Sequence, residues 1–264
     1  MDQPLQQIRL NKFLAERIGV SRREADDLIS AGKVTVDGKL AELGARIDKT
    51  NKICCNNKTI PFETEFSYLA FHKPVGYVCS RRAQGSAPTL YDLLPKKYQN
   101  LKTVGRLDKD SSGLILLTND GDFAFQMTHP KFHKQKVYEV ELDKPLEPLH
   151  QQMISDYGVM LEDGPSKFTV IKKEIAKSST KGFRSPTGQE LACVPRDDGR
   201  ERSDPRGTGK QLPLYKVILT EGRNRQIRRT FSAMGYKVTK LHRTEFGKYK
   251  LGSLKSSKYE EFKI

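Results

Sequence analysis

Lys102 to Gly121, KTVGRLDKDSSGLILLTNDG, constrains the fold more than any other stretch of this chain. Four consecutive apolar residues, Leu114 to Leu117, read as a buried strand and so as a rigid element. Ahead of it, Lys102-Thr103-Val104 opens a loop that passes Arg106 and Asp108 and closes through Ser111-Ser112-Gly113. A guanidinium and a carboxylate thus flank one leucine on a glycine-bordered loop beside rigid structure, where binding and catalytic groups concentrate. An Asp met alone in a loop is first of all a turn residue, because its side chain hydrogen-bonds its own backbone. The local pattern leaves Asp108 open between those two roles.

Composition narrows the partner. Forty-seven Lys and Arg against 32 Asp and Glu give a net charge of +15 and a sequence pI near 9.6, which suits a large polyanion better than a small neutral substrate. The charge is concentrated. Between Glu221 and Lys250 there are nine Lys or Arg and two acidic residues. Leu214 to Leu219 reads as a strand, Glu221 to Asn224 as a turn, and Arg225 to Met234 as a helix with Ile227, Phe231 and Met234 on one face and Arg225, Arg228 and Arg229 on the other. One stripe anchors the helix and the other meets anions, the placement an RNA groove requires.

Upstream, KVYEVEL alternates as a strand, with Tyr138, Val140 and Leu142 on the buried side. Tyr91 lies in a short helical turn, Thr89 to Leu94, ended by Pro95, and Asn119 or Asp120 can cap a helix from Asp122 to Thr128. His129 and His133 are four apart, but Pro130 breaks the helix that would align them as metal ligands. The four cysteines, Cys54, Cys55, Cys79 and Cys193, form no CxxC pair. No metal site is expected, and a reducing cytosol is. No apolar run approaches the roughly 20 residues of a membrane span, and MDQPLQQIRLNKFL lacks a signal-peptide core. A soluble, cytoplasmic protein without membrane contact is the expectation.

GRLDKDSSGLILLTNDG resembles the motif around the nucleophilic aspartate of pseudouridine synthases, in particular the ribosomal RsuA/RluB/RluF group, where the matching aspartate attacks a uridine flipped out of its RNA. On that resemblance Asp108 is the catalytic nucleophile or base. Lys-x-Tyr-Glu-Val at 136–140 is similar to the family's second motif, whose tyrosine, here Tyr138, stacks under the uracil. EGRNRQIRRTFSAMGYKVTKLHRTEFG is similar to the third, in which Arg228 pairs with the catalytic aspartate and Leu241 is the apolar residue beneath the base. Arg106 resembles the arginine that helps fill the space the base vacates, and as a residue alone it could equally hold a phosphate. His72-Lys73-Pro74-Val75-Gly76 resembles the opening strand and turn of the synthase domain, though as residues alone it is an ordinary turn. GRLDKDSSGLI and NRQIRR look nearest to the RluF-like branch.

At the N-terminus, Leu10, Phe13, Leu14 and Ile18 recur at helical spacing and Gly19 ends the helix. Ser21 with Glu24 has capping-box spacing for a second helix, Arg22 to Ala31, stopped by Gly32. Val34-Thr35-Val36 then enters an Asp37-Gly38 hairpin turn. The run IRLNKFLAERIGVSRREADDLISAGKVTVDGKLAELGARI closely resembles the alpha-L RNA-binding domain, which grips structured RNA through the helix carrying Arg22 and Arg23 and a basic turn, here Lys33 and Lys39. Cys54 to Glu65 is polar and irregular and reads as a linker, so the two domains need not be rigidly coupled.

Residues 7–60 are therefore expected to be the RNA-binding domain, 61–66 a linker and 67–264 the catalytic domain. Within it, 175–211 is rich in glycine, proline and charge and reads as a mobile basic insertion. The resemblance implies an α+β fold, a mixed and largely antiparallel sheet. It implies isomerisation of uridine to pseudouridine in structured RNA, most readily large-subunit ribosomal RNA. A monomer is expected, on no motif of the sequence. The reaction gains no electrons or groups, so no cofactor is expected. Transfer RNA as substrate, and a noncatalytic RNA-binding or ribosome-assembly factor that keeps the fold, are the alternatives.

Overall fold

The computed structural model describes residues 7–63, 65–81, 85–173 and 212–264. The insertion expected at 175–211, with Cys193, lies outside the described residues.

The N-terminal elements follow from local chemistry. Strand β1 (Ile8–Arg9) leads into helix α1 (Leu10–Arg17), and α2 (Arg22–Ser30) follows. The capping box is formed at both ends: the Glu24 amide donates to Ser21 Oγ at 3.1 Å and the Ser21 amide to the Glu24 carboxylate at 2.7 Å. Strands β2 (Val34–Val36), β3 (Lys39–Leu40), β4 (Arg46–Ile47), β5 (Ile53–Cys55) and β6 (Lys58–Ile60) come next. Strands β3-β2-β5-β6 form one antiparallel sheet, and β1 pairs with β4. Leu10, Phe13, Leu14, Ala25, Ile29 and Val34 are buried in one apolar cluster with Ile47, Ile53 and Ile60. Fully burying a side chain such as Phe13 is worth roughly 2–3 kcal/mol.

Cys54 to Ile60 is not linker but the β5–β6 hairpin. Asn56 and Asn57 take left-handed φ values of 48° and 63°, as a two-residue turn matching strand twist requires. Its polar tip hid the strands, because Ile53, Cys55 and Ile60 point inward while Cys54 and Thr59 do not.

Beyond it stand β7 (Tyr68–Lys73), β8 (Lys102–Val104), β9 (Ser112–Thr118), α3 (Gly121–Thr128) and β10 (Lys136–Leu142). Then follow α4 (Pro148–Gln152), β11 (Val159–Leu161), β12 (Gly164–Ser166), β13 (Thr169–Lys172), β14 (Leu214–Leu219), α5 (Gln226–Ala233), β15 (Val238–Phe246), β16 (Tyr249–Lys250) and β17 (Tyr259–Glu261). Short 3-10 turns at Leu90–Leu93 and Lys96–Tyr98 bracket Pro95.

The chain divides into two compact units, Met1–Lys109 with Gly113–Phe132 and Leu251–Ile264, and Asp110–Ser112 with His133–Lys250. In the first, β9 lies between β7 and β8, and β17 pairs with the outer edge of β7, all antiparallel. Leu114 to Leu117 are wholly buried. Asp120 caps α3, accepting from the Asp122 and Phe123 amides at 2.9 Å. In the second unit β13-β14-β10-β15 form an antiparallel ladder with β16 on β15, and β11 and β12 make a separate hairpin. Ile227 and Phe231 seat α5, the Phe231 ring 5.8 Å from that of Phe168.

Candidate active site

The residues singled out in sequence fall in both units. Asp108 and Arg106 belong to the first, Tyr138, Arg225, Arg228, Arg229 and Leu241 to the second.

In the first unit the Asp108 loop is pinned through its backbone. Gly105 has φ +72°, a conformation costly for residues with a side chain, and turns the chain out of β8. Leu107 is buried, its amide donating to Cys79 Sγ at 3.4 Å while the thiol donates to its carbonyl at 3.2 Å. The Gly76 amide donates to the Lys109 carbonyl at 2.8 Å. Beneath lies Lys73, wholly buried, whose ammonium donates to the carbonyls of Pro74 at 2.9 Å, Asp108 at 3.1 Å and Lys109 at 3.5 Å. Three consecutive residues, 107 to 109, thus have their backbone held. The Asp108 side chain keeps partial exposure and Arg106 is exposed.

In the second unit Arg228 reaches the segment that directly follows this loop in the chain. Its guanidinium donates to the carbonyls of Val238 at 3.0 Å and Asp110 at 2.9 Å and to Ser111 Oγ at 3.5 Å. Arg225, left-handed at the start of α5, lies 3.5 Å from the Asp110 carboxylate. Ser112 Oγ is 2.9 Å from His242 Nδ1. Tyr138 stands opposite Arg243, and Val140 opposite Leu241, in the β10–β15 ladder. Directly opposed residues share a face, so these four side chains line one side of the sheet; Tyr138, Leu241 and Arg243 are all buried.

Arg229 is engaged within its own unit. Its guanidinium makes two hydrogen bonds to the Asp163 carboxylate, at 2.7 and 3.1 Å, and Arg223 meets the same carboxylate at 3.1 Å. The Arg229 hydrogen bond holds the Asp163 carboxyl below its ordinary range. Behind them, buried Gln226 and Thr230 donate to Ser166 Oγ at 3.1 and 2.8 Å. Arg22, Arg23 and Lys33 are exposed around α2 and the turn after it.

Sequence reasoning undervalued Lys73 and counted Arg243 in the basic segment suited to an RNA groove. Lys73-Pro74-Val75-Gly76 at a strand end was the available signal for the first; Arg243 gave none, because one residue in a basic run does not announce its burial. Lys136 is also buried, its ammonium 5.3 Å from the centre of the Phe246 ring, with the Arg243 guanidinium 4.9 Å from the same ring. Burial, then the Arg243 charge, hold the Lys136 pKa down to about 8. Among the described residues no group of three or more His, Cys, Asp or Glu is placed to hold a metal ion, and no helix is long and apolar enough to cross a membrane.

Comparison with known proteins gives a consistent picture. Residues 67–233 match the family model described as RNA pseudouridylate synthase, and residues 8–53 match the S4 domain. The chain is 34% identical over 248 residues to the ribosomal small subunit pseudouridine synthase A of Pasteurella multocida (strain Pm70), covering 92% of this chain and 90% of that protein. It is 34% identical over 246 residues to the ribosomal large subunit pseudouridine synthase B of Escherichia coli (strain K12), covering 90% and 73%. A crystal structure of a pseudouridylate synthase superposes with a TM-score of 0.60 at 27% identity, covering 97% of this chain and 96% of that one.

Proposed function

The chain belongs to the RNA pseudouridylate synthase family, and from that premise we propose that it isomerises a specific uridine in ribosomal RNA, with large-subunit RNA the first substrate to test. Isomerisation breaks the bond from ribose to uracil nitrogen, turns the base and rejoins it through carbon. It needs an ionised carboxylate at the sugar or base and a pocket that retains the detached uracil. We assign the carboxylate to Asp108. The observation that carries the assignment is its backbone, held at residues 107 to 109 by Cys79, Lys73 and Gly76. A nucleophile acts efficiently only when its position is set before the substrate arrives.

Tyr138 and Leu241 are assigned to the flipped uracil, which has lost its stacking neighbours and needs an aromatic or apolar support; their shared face and burial favour this. On the family resemblance alone, Arg228 is assigned as the countercharge of Asp108. Arg106 is assigned to the gap left in the RNA, and Arg225 and Arg229 to its backbone. Residues 7–60 form the RNA-binding domain in this reading, with Arg22, Arg23 and Lys33 on phosphates, and 67–264 the catalytic domain. The protein acts as a monomer, in the cytoplasm, without a cofactor.

Pseudouridine mapping on ribosomal and transfer RNA treated with the purified protein, beside Asp108→Asn, tests this. One new ribosomal site made only by the unmutated protein is the expected result. A site made equally by Asp108→Asn would remove Asp108 from the chemistry. Modification confined to transfer RNA, or binding without modification, would overturn the proposed substrate.

A further inference from the structure

The sequence left the N-terminal domain loosely tethered to the catalytic part, but the structure ties the two by polar contacts within one compact unit. Lys102, in β8 and half-buried, donates from its ammonium to the carbonyls of Ala15 at 3.0 Å and Val20 at 2.9 Å. Those carbonyls flank the turn between α1 and α2. Arg81 reaches the same turn, donating to the Gly19 carbonyl at 3.2 Å, while its other nitrogen donates to the carbonyls of Asn100 and Leu101 next to Lys102. The Gly19 backbone lies so close to Asn100 that an added Cβ would touch its side chain at 3.5 Å.

Two further contacts flank this pair. The Lys12 ammonium meets the Asp122 carboxylate at 2.5 Å at the start of α3. Glu65 and Ser67 are also pinned, since Asn119 accepts from the Ser67 amide at 2.8 Å and donates to the Glu65 carbonyl at 3.0 Å.

The position of these contacts matters more than their number. Lys102 and Arg81 hold the turn from which α2 departs, and α2 carries Arg22 and Arg23. Lys102 also opens the strand that runs through Gly105 into the loop of Asp108. One short rigid path therefore connects the helix assigned to grip RNA with the loop assigned to the chemistry. Burial holds the Lys102 pKa below the ordinary lysine value, consistent with an ammonium packed against its partners.

We infer that Lys102 and Arg81 form a latch that fixes the N-terminal domain against the catalytic part, so that the distance from the RNA grip to the Asp108 loop selects the uridine. Lys102 and Arg81 are positioning residues here; neither touches the reacting atoms. The inference rests on the proposed RNA role of α2. With the latch intact, the second RNA contact is intramolecular and its effective concentration is set by geometry; with the latch cut, it is set by a tether.

The full-length protein is tested on two transcripts, one carrying the target uridine within its complete ribosomal RNA domain and one a short stem-loop around that uridine alone. For Lys102→Met, KM on the long RNA is expected to rise about tenfold with kcat within about twofold, and some modification is expected to spread to neighbouring uridines. The stem-loop, which does not span both domains, is expected to react as with the unmutated protein. Spin labels at Lys39→Cys and Lys96→Cys, in a background without reactive native cysteines, are expected to show a narrow distance distribution that broadens when Lys102→Met is added. Arg81→Met, which removes one contact to the turn, is expected to give a smaller change in the same direction, and it decides the matter if Lys102→Met fails to fold.

Equal losses on both RNAs, or no change in KM and distance distribution, would overturn the latch. Arg22→Glu with Arg23→Glu separates the premises: if this double variant raises KM on the long RNA and the latch variants do not, only the latch falls. If it has no effect, the RNA role of α2 falls and the latch with it.

Discussion

Lys73→Met removes an ammonium with no solvent exposure from beneath the Asp108 loop. Its hydrogen bonds at 2.9 Å to Pro74 and 3.1 Å to Asp108 have good geometry, and that at 3.5 Å to Lys109 is marginal. Bonds from a charged donor contribute about 1.5–3 kcal/mol each, so the two good ones amount to about 3–6 kcal/mol. Removing the buried charge returns several kcal/mol of desolvation, and the net loss of stability is expected to be about 1–3 kcal/mol. The effect on rate should exceed that on stability. Three carbonyls that face one cation would turn toward solvent, and a shift of about 1 Å at a reacting group costs on the order of a hundredfold. Single-turnover pseudouridine formation at saturating protein, beside a denaturant melt, separates the two. The expected result is a rate down by about 100-fold with the variant still folded. A rate within about twofold of the unmutated protein would show that the Gly76 and Cys79 contacts hold the loop unaided, and would refute the reasoning.

The buried Lys136 predicts a pH effect of definite sign. Its pKa is about 8 in the folded protein against 10.5 ordinarily, so between those values the unfolded chain binds more protons and stability rises with pH. The penalty is fully present below pH 8 and relieved toward 10.5; discounted for solvent screening it amounts to about 2 kcal/mol. Urea unfolding at pH 7.5 and 10 should show that rise in the unmutated protein and lose it in Lys136→Met, and parallel curves would count against it. Asp163→Asn frees Arg229 from its carboxylate, while Arg223 stays held by the backbone carbonyls of residues 163 to 165. Filter binding across a salt series should then give tighter RNA binding at low salt and a log–log slope steeper by about 1, whereas an unchanged slope would mean that Arg229 does not meet phosphate.

What was legible in the sequence was what short-range chemistry controls. Ser21 and Glu24 are three residues apart and bond reciprocally wherever a helix starts, and Asp37-Gly38 turns because Gly38 takes a φ of 83° without strain. Asp120 capped α3 for the same kind of reason. Strands β10 and β14 announced themselves by alternation or by bounded apolar runs. The β5–β6 hairpin did not, since its strands are three residues each and Asn56-Asn57 reads as polar irregularity until the left-handed φ values are seen.

Charge was legible as an amount and a rough location, not as a set of roles. In sequence Arg223, Arg225, Arg228, Arg229 and Arg243 form one basic run. In the structure Arg229 and Arg223 share Asp163, Arg228 holds backbone at Asp110 and Val238, and Arg243 is buried opposite Tyr138. Those partners lie 60 or more residues away for Asp163 and more than 100 away for Asp110, and no local pattern encodes pairings at such separations.

The chain by itself determined its helices and turns, its basic character and, through three motif resemblances, its family, because propensity, capping and net charge depend on neighbours in sequence. Only the tertiary structure decided that Lys73 is a buried clamp rather than a turn residue, and that Lys102 and Arg81 reach α1 rather than solvent. Burial and long-range hydrogen bonding arise from how distant segments exclude water together, a property no single segment carries.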